Sequence, residues 1–166
     1  HTKSVCAVIK LTDNIIVSGS WDHSIKVWNV GSGILLKTLL GHTNSVNILV
    51  KINNFTVVSG SCDHTIRVWD ISLGICLRTL IGHTNYVQSI IKIDDNTIVS
   101  GSYDKTLKIW RRSTAECLKT LQGHTDKVLI VITMNEDTIM SSSYDKSIKT
   151  WRLSTGECIG SFYCKS

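Results

Sequence analysis

Proline is absent from all 166 residues. Every internal residue therefore keeps a backbone amide that can pair in a strand, which is compatible with dense strand pairing without selecting it. No apolar run approaches the ~18 residues of a membrane-spanning helix. No stretch keeps a helical period long enough to compete with strands. The six cysteines contain no Cys-x-x-Cys spacing, which removes the usual signature of a zinc or thiol-redox site. There is no initiating Met and no basic-then-apolar leader, so a chain opening at His1 is expected to be a fragment, a processed product or a trimmed piece. Also missing is any unique nucleophile, acid–base pair or metal-ligand cluster. An enzyme is therefore not expected, and no catalytic residue, metal ligand or cofactor is assigned.

What is present is repetition. Trp28, Trp69, Trp110 and Trp151 stand 41 residues apart without insertion or deletion. His1, His42, His83 and His124 keep the same step, as do Asp22, Asp63, Asp104 and Asp145. Ser-Gly-Ser recurs at 18–20, 59–61 and 100–102 and becomes Ser141-Ser142-Ser143 in the last copy. A fixed period in this range marks an array of supersecondary units, here 1–41, 42–82, 83–123 and 124–164. One such unit sits near the ~40-residue floor for independent folding, so each needs neighbours.

The second unit shows the local grammar. Val46 to Ile52 reads as a strand, Asn53-Asn54 as a turn, and Thr56 to Ser59 as a second strand. Thr65 to Trp69 alternates, with Ile66 and Val68 on one face and Thr65, Arg67 and Trp69 on the other. Cys76 to Leu80 gives a fourth strand. A four-stranded antiparallel sheet with two apolar faces must stack on its neighbours, and radial stacking gives a β-propeller whose blades are these sheets.

Cys76, Cys117 and Cys158 take the place of Leu35 and are expected to behave as small buried hydrophobes. Cys6, Cys62 and Cys164 are scattered, and a reducing, intracellular compartment, cytoplasmic or nuclear, fits them best. Net charge is +5. Three sets of basic residues share repeat positions: Lys26, Arg67, Lys108 and Lys149; Lys10, Lys51 and Lys92; Lys37, Arg78 and Lys119. Charges so dispersed are expected to be solvent-facing blade surface. A phosphate-tracking stripe for nucleic acid is the alternative.

Gly41-His42, Gly82-His83 and Gly123-His124, each followed 27 residues later by a Trp with an Asp six residues before it, resemble the WD-repeat β-propellers over essentially the whole chain. Only Trp69-Asp70 is a true Trp-Asp pair. The short link Ile93 to Asn96 is similar in style to F-box-associated and TRAF-associated members. The resemblance implies a hydrogen-bonded tetrad in each blade: His1-Ser18-Asp22-Trp28, His42-Ser59-Asp63-Trp69, His83-Ser100-Asp104-Trp110 and His124-Ser141-Asp145-Trp151. Four copies beside a bulky Trp argue for scaffold and against a hydrolase. His23 and His64, like Lys105 and Lys146, are expected on surface turns.

The resemblance further implies a protein–protein interaction scaffold that uses the face carrying the interblade loops. Three repeat positions on that face become partner-binding candidates: Ser4, Ser45, Tyr86 and Lys127; Cys6, Asn47, Gln88 and Leu129; Trp21, Cys62, Tyr103 and Tyr144. None is Arg, which disfavours a receptor for phosphorylated degrons. A substrate-recognition module of a larger ubiquitin-ligase or kinase chain is a further alternative. Rings of this family usually hold seven or eight blades, so four imply half a ring. Either a second copy closes an eight-bladed ring or further blades stand upstream in a longer chain. No membrane partner is expected.

Overall fold

The computed structural model describes residues 1–163; Cys164 and the end of the fourth repeat lie outside the described residues. Blade 1 consists of β1 (Val5–Lys10), β2 (Ile15–Ser20), β3 (Ile25–Asn29) and β4 (Leu35–Leu39). Blade 2 consists of β5 (Val46–Lys51), β6 (Thr56–Ser61), β7 (Ile66–Asp70) and β8 (Ile75–Leu80). Blade 3 holds β9 (Val87–Lys92), β10 (Thr97–Ser102), β11 (Leu107–Arg111) and β12 (Glu116–Leu121). Blade 4 holds β13 (Val128–Asn135), β14 (Thr138–Ser143), β15 (Ser147–Arg152) and β16 (Cys158–Tyr163). Each blade is one antiparallel sheet paired in chain order, and no helix occurs among the described residues. The second strand of blade 2 runs two residues past the expected Ser59, because Gly60 still pairs with Ile66.

Turn chemistry sets the hairpins. The Asn53 carboxamide oxygen accepts from the amides of Phe55 and Thr56, both at 2.9 Å. The second-to-third-strand turn needs one residue in the left-handed region, supplied by His23, His64, Lys105 and Lys146 with φ between 65° and 73°. There the Asp before it holds the turn, as where Asp63 Oδ1 accepts from Thr65 N at 2.9 Å and from Thr65 Oγ1 at 2.6 Å.

The core lies between blades. Each blade has a forward face, turned to the next blade, and a backward face that carries the tryptophan. Val58, Ile66, Val68 and Leu80 of blade 2 meet Val87, Ile90, Ile98 and Trp110 of blade 3. The equivalent seams join blade 1 to blade 2 and blade 3 to blade 4. Alternation along the third strand sends Ile66 and Val68 forward and Trp69 back. At the tightest point of each seam stands a glycine of the second strand. A Cβ on Gly101 would lie 2.7 Å from Val128 Cγ1 and 2.8 Å from Val131 Cγ2. Gly101→Val is therefore expected to cost about 1–3 kcal/mol by forcing the two blades apart, read as a lower urea midpoint with an unchanged slope.

Two expectations are corrected. Cys117 and Cys158 are exposed and Cys76 only half-buried, as is the 40%-exposed Leu35 they replace. The fourth strand is the outer edge of its sheet, open on one flank, and a bulge falls at the residue just after each Cys position, so the ladder is irregular where the cysteines stand. The repeated basic residues are not simply solvent-facing. Lys149 is buried and donates to Ser161 Oγ at 2.7 Å, while Lys108 donates to Thr120 Oγ1 at 2.8 Å. Others cross the seams: Lys37 to Ser72 O, Arg78 Nε to Ser113 O at 3.2 Å, and Lys119 to Leu153 O at 3.0 Å. Lys51 and Lys92 reach backward to the carbonyls of Leu11 and Ile52. A long flexible stem with a charged head suits that span, and sequence periodicity alone does not distinguish it from a solvated charge.

Candidate functional site

The site is built from the tetrads outward. In blade 2, His42 Nδ1 lies 2.7 Å from Asp63 Oδ2 and His42 Nε2 lies 2.7 Å from Ser59 Oγ. Trp69 Nε1 donates to the same hydroxyl at 2.8 Å. An ionised carboxylate only accepts, so Nδ1 carries the hydrogen and, in the neutral ring, Nε2 accepts from the serine. Blades 1, 3 and 4 repeat this chain at 2.6–2.8 Å.

Burial by itself raises each tetrad carboxyl, but the donors around it outweigh that effect. Ser24 and the amide of Thr2 hold Asp22 at about 2. His42 and Thr65 hold Asp63 well below the usual carboxylate range, and the corresponding donors do so for Asp104 and Asp145. Burial lowers the His124 ring, with Asp145 opposing it only partly. The serines of blades 2 to 4 are buried at the centre of this network, so no substrate can reach their hydroxyls. The triad-like chemistry is scaffold. Among the described residues no group of three or more His, Cys, Asp and Glu could hold a metal ion.

The tetrads anchor the loops, and the loops carry the variable residues. In each blade a main-chain bond ties the residue before the tetrad Asp to the residue before the first-strand Val. Trp21 N donates to Ser4 O, Cys62 N to Ser45 O and Tyr103 N to Tyr86 O at 2.9 Å, and Tyr144 N to Lys127 O at 3.0 Å. The position after that Val falls in a β-bulge in every blade, which leaves Cys6, Asn47, Gln88 and Leu129 outside the ladder. A bulge re-aims its side chain, and here three of the four turn into a common cleft.

That cleft, of about 550 Å³, is lined by Cys6, Trp21, Asn44, Ser45, Asn47, Cys62, Tyr86, Gln88 and Tyr103. It gathers eight of the twelve candidate positions. Ser4, Lys127, Leu129 and Tyr144 are outside its lining, although the Lys127 ammonium stands 5.0 Å from the Tyr103 ring and 5.7 Å from that of Tyr144. The rings form a line: His64 against Tyr86 at 5.9 Å, then Tyr86 against Tyr103 at 5.7 Å. His64 thus does more than occupy its turn. Asn44 was not foreseen; it stands two residues before the Val, one step from the positions singled out, and nothing in the repeat pattern marks it.

The cleft is lined by neutral hydrogen-bonding and aromatic groups. Burial raises the thiols of Cys6 and Cys62, so neither is a thiolate at neutral pH. Asn47 occupies Cys62, its Nδ2 at 3.2 Å from Sγ. Burial also raises the Tyr103 phenol, which keeps its hydrogen for donation. Amide, hydroxyl and indole groups offer hydrogen bonds, and the rings offer flat apolar area. No carboxylate lines the cleft.

Comparison with known proteins accords with this architecture. The family model of the WD domain, G-beta repeat, matches residues 1–29, 33–70, 74–111 and 115–152. An uncharacterized WD repeat-containing protein of Schizosaccharomyces pombe is 59% identical over 27 residues, which are 16% of this chain and 7% of that protein. Neither match carries the likeness to F-box-associated or TRAF-associated members. WD-repeat modules are in general non-catalytic protein-interaction scaffolds, and no enzymatic family is indicated here. With four matched repeats on four tetrad-locked blades, the chain belongs to the WD-repeat family.

Proposed function

We propose that the chain is a non-catalytic scaffold that captures a peptide segment or protein domain in the aromatic cleft on its loop-bearing face. The observation that carries this reading is the convergence of Trp21, Tyr86 and Tyr103 with Asn47 and Gln88 around one concavity, above tetrads that vary little. Trp21 is 51% exposed, and packing within the blade does not require an indole there. Exposed Trp and Tyr in a well-formed cleft are the residue types that dominate binding hot spots.

A nucleic-acid stripe is less well supported. The three basic series are engaged in seam and strand hydrogen bonds, as described above, which leaves few of them to track a phosphate backbone. The described cysteines are free thiols, consistent with a reducing cytoplasmic or nuclear setting.

The test is to isolate the partner with the wild-type chain and titrate it against Trp21→Ala/Tyr103→Ala. The expected loss is about thirtyfold or more in affinity, the size of one hot spot removed, with the melting temperature nearly unchanged. Equal affinity of wild type and variant would place the partner elsewhere. Binding that instead falls steeply with salt would favour nucleic acid.

A further inference from the structure

The aromatic cleft is neutral, and the main chain around it is already paired. The amides of Trp21, Cys62 and Tyr103 donate to the carbonyls of Ser4, Ser45 and Tyr86, so these positions offer no strand edge for a partner to extend. Neither an acidic nor a basic side chain lines the concavity. A cationic ligand would lack a counter-ion there and would meet Lys127, whose ammonium lies 5.0 Å from the Tyr103 ring. A phosphorylated or acidic segment would find no guanidinium to pair with.

What remains is a set of side-chain donors beside flat rings. Asn47 is braced, its Nδ2 at 3.2 Å from Cys62 Sγ and 3.3 Å from Val87 O. The four tetrad indoles donate to serine hydroxyls. By contrast, the Trp21 indole, the Tyr86 and Tyr103 hydroxyls and the Gln88 carboxamide line the cleft and make no hydrogen bond among the described residues. Ring centroids from His64 to Tyr86 to Tyr103 are 5.9 and 5.7 Å apart, close to the ~6 Å that two residues of a polyproline II helix advance. Such a helix leaves its carbonyls unpaired, and each proline removes an N–H that would need an acceptor. An α-helical partner bonds its carbonyls internally and would cover these donors without satisfying them.

Resting on the proposed capture of a peptide in this cleft, we infer that its ligand is a proline-rich segment of a partner protein in the polyproline II conformation. Its carbonyls accept from Trp21 Nε1, the Tyr103 hydroxyl and Gln88 Nε2, and its pyrrolidine rings lie against Tyr86 and Tyr103. Aromatic-lined grooves suit such segments because a preformed helix loses little conformational freedom on docking. Proline is absent from all 166 residues, so a second copy of them cannot be that partner.

A phage-displayed library of random decapeptides, panned on the full chain, tests this. The recovered peptides are expected to be rich in proline. The tightest of them, made synthetically, should lose about tenfold or more in affinity when its prolines become Ala. Gln88→Leu should weaken it about three- to tenfold, the size of one hydrogen bond. On titration the Trp21 indole N–H resonance should shift while those of Trp28, Trp69, Trp110 and Trp151 stay in place. Peptides that need Trp21 and Tyr103 but bind equally well with Ala for Pro overturn the proline assignment and leave the peptide-scaffold reading standing. Cationic or acidic peptides whose binding falls steeply with salt also overturn it. So does a library that yields no binder, and the scaffold reading is then judged by its own partner titration. Peptides held equally by wild type and Trp21→Ala/Tyr103→Ala overturn both.

Discussion

Trp110→Ala is expected to lower the free energy of unfolding by about 3–5 kcal/mol, the range for emptying a fully buried aromatic site. The indole is completely buried in the seam between blades 2 and 3, and its ring lies over Gly82, where a Cβ would come within 3.0 Å of Cη2. Removing it also takes away the donor to Ser100 Oγ, at 2.8 Å, inside a buried network, which adds part of the cost of an unmade hydrogen bond. A domain of this kind has only about 5–15 kcal/mol in total, so the variant should stand near the edge of folding. Trp28→Ala is the internal control. The same tetrad bond is present at 2.8 Å, but the ring faces the open side of blade 1. Its loss should cost clearly less in parallel urea titrations. Equal costs would mean that burial between blades is not what gives these tryptophans their weight.

Acid should unfold the chain in two stages, both with the same sign. The tetrad carboxyls titrate below their ordinary value of 3.8 in the native state, Asp22 at about 2 and the other three lower. A group depressed by folding binds its proton more readily when unfolded. The stability it contributes is present above its unfolded value and disappears as pH falls toward its native one. The Asp22 shift alone corresponds to roughly 2 kcal/mol, and four such carboxyls act together. His124 is also lowered by burial, from 6.5, so its contribution begins to fade first, below that value. Unfolding free energy measured by urea between pH 7 and pH 2 is expected to decline gently below about 6.5 and steeply below about 4. Asp104→Asn should remove part of the steep stage. A flat profile down to pH 3 would show that the carboxylates are not held as ions by their donors.

How much of this was legible beforehand depended on whether packing or periodicity set the feature. The 41-residue step gave the blades because each seam reuses the same residues, so Val46, Val87 and Val128 must fill sockets at Gly19, Gly60 and Gly101. The alternation of Ile66, Val68 and Trp69 was readable for the same reason: two seams demand two apolar faces. The fourth-strand cysteines misled because an apolar residue type does not report an edge position or a bulge. Periodicity alone does not place the Lys51 and Lys92 ammonium groups, because a repeated cation looks the same in sequence whether it meets water or a neighbour's carbonyl. The cleft was partly visible in Trp21, Tyr86 and Tyr103, which vary where packing does not force a choice. Asn44 and the line of rings beginning at His64 needed coordinates, since they depend on how adjacent blades are angled.

The aromatic residues fall into two classes: indoles locked inside tetrads, and rings exposed on the loop-bearing face. Hydrogen exchange of the five indole N–H groups, followed by NMR, separates the classes directly. Trp69, Trp110 and Trp151 are buried and donate at 2.8 Å to buried serines, whereas Trp21 is exposed. The first three should exchange only through unfolding, Trp28 faster, and Trp21 within the dead time. Uniform exchange of all five, or protection of Trp21 in the free chain, would contradict this division.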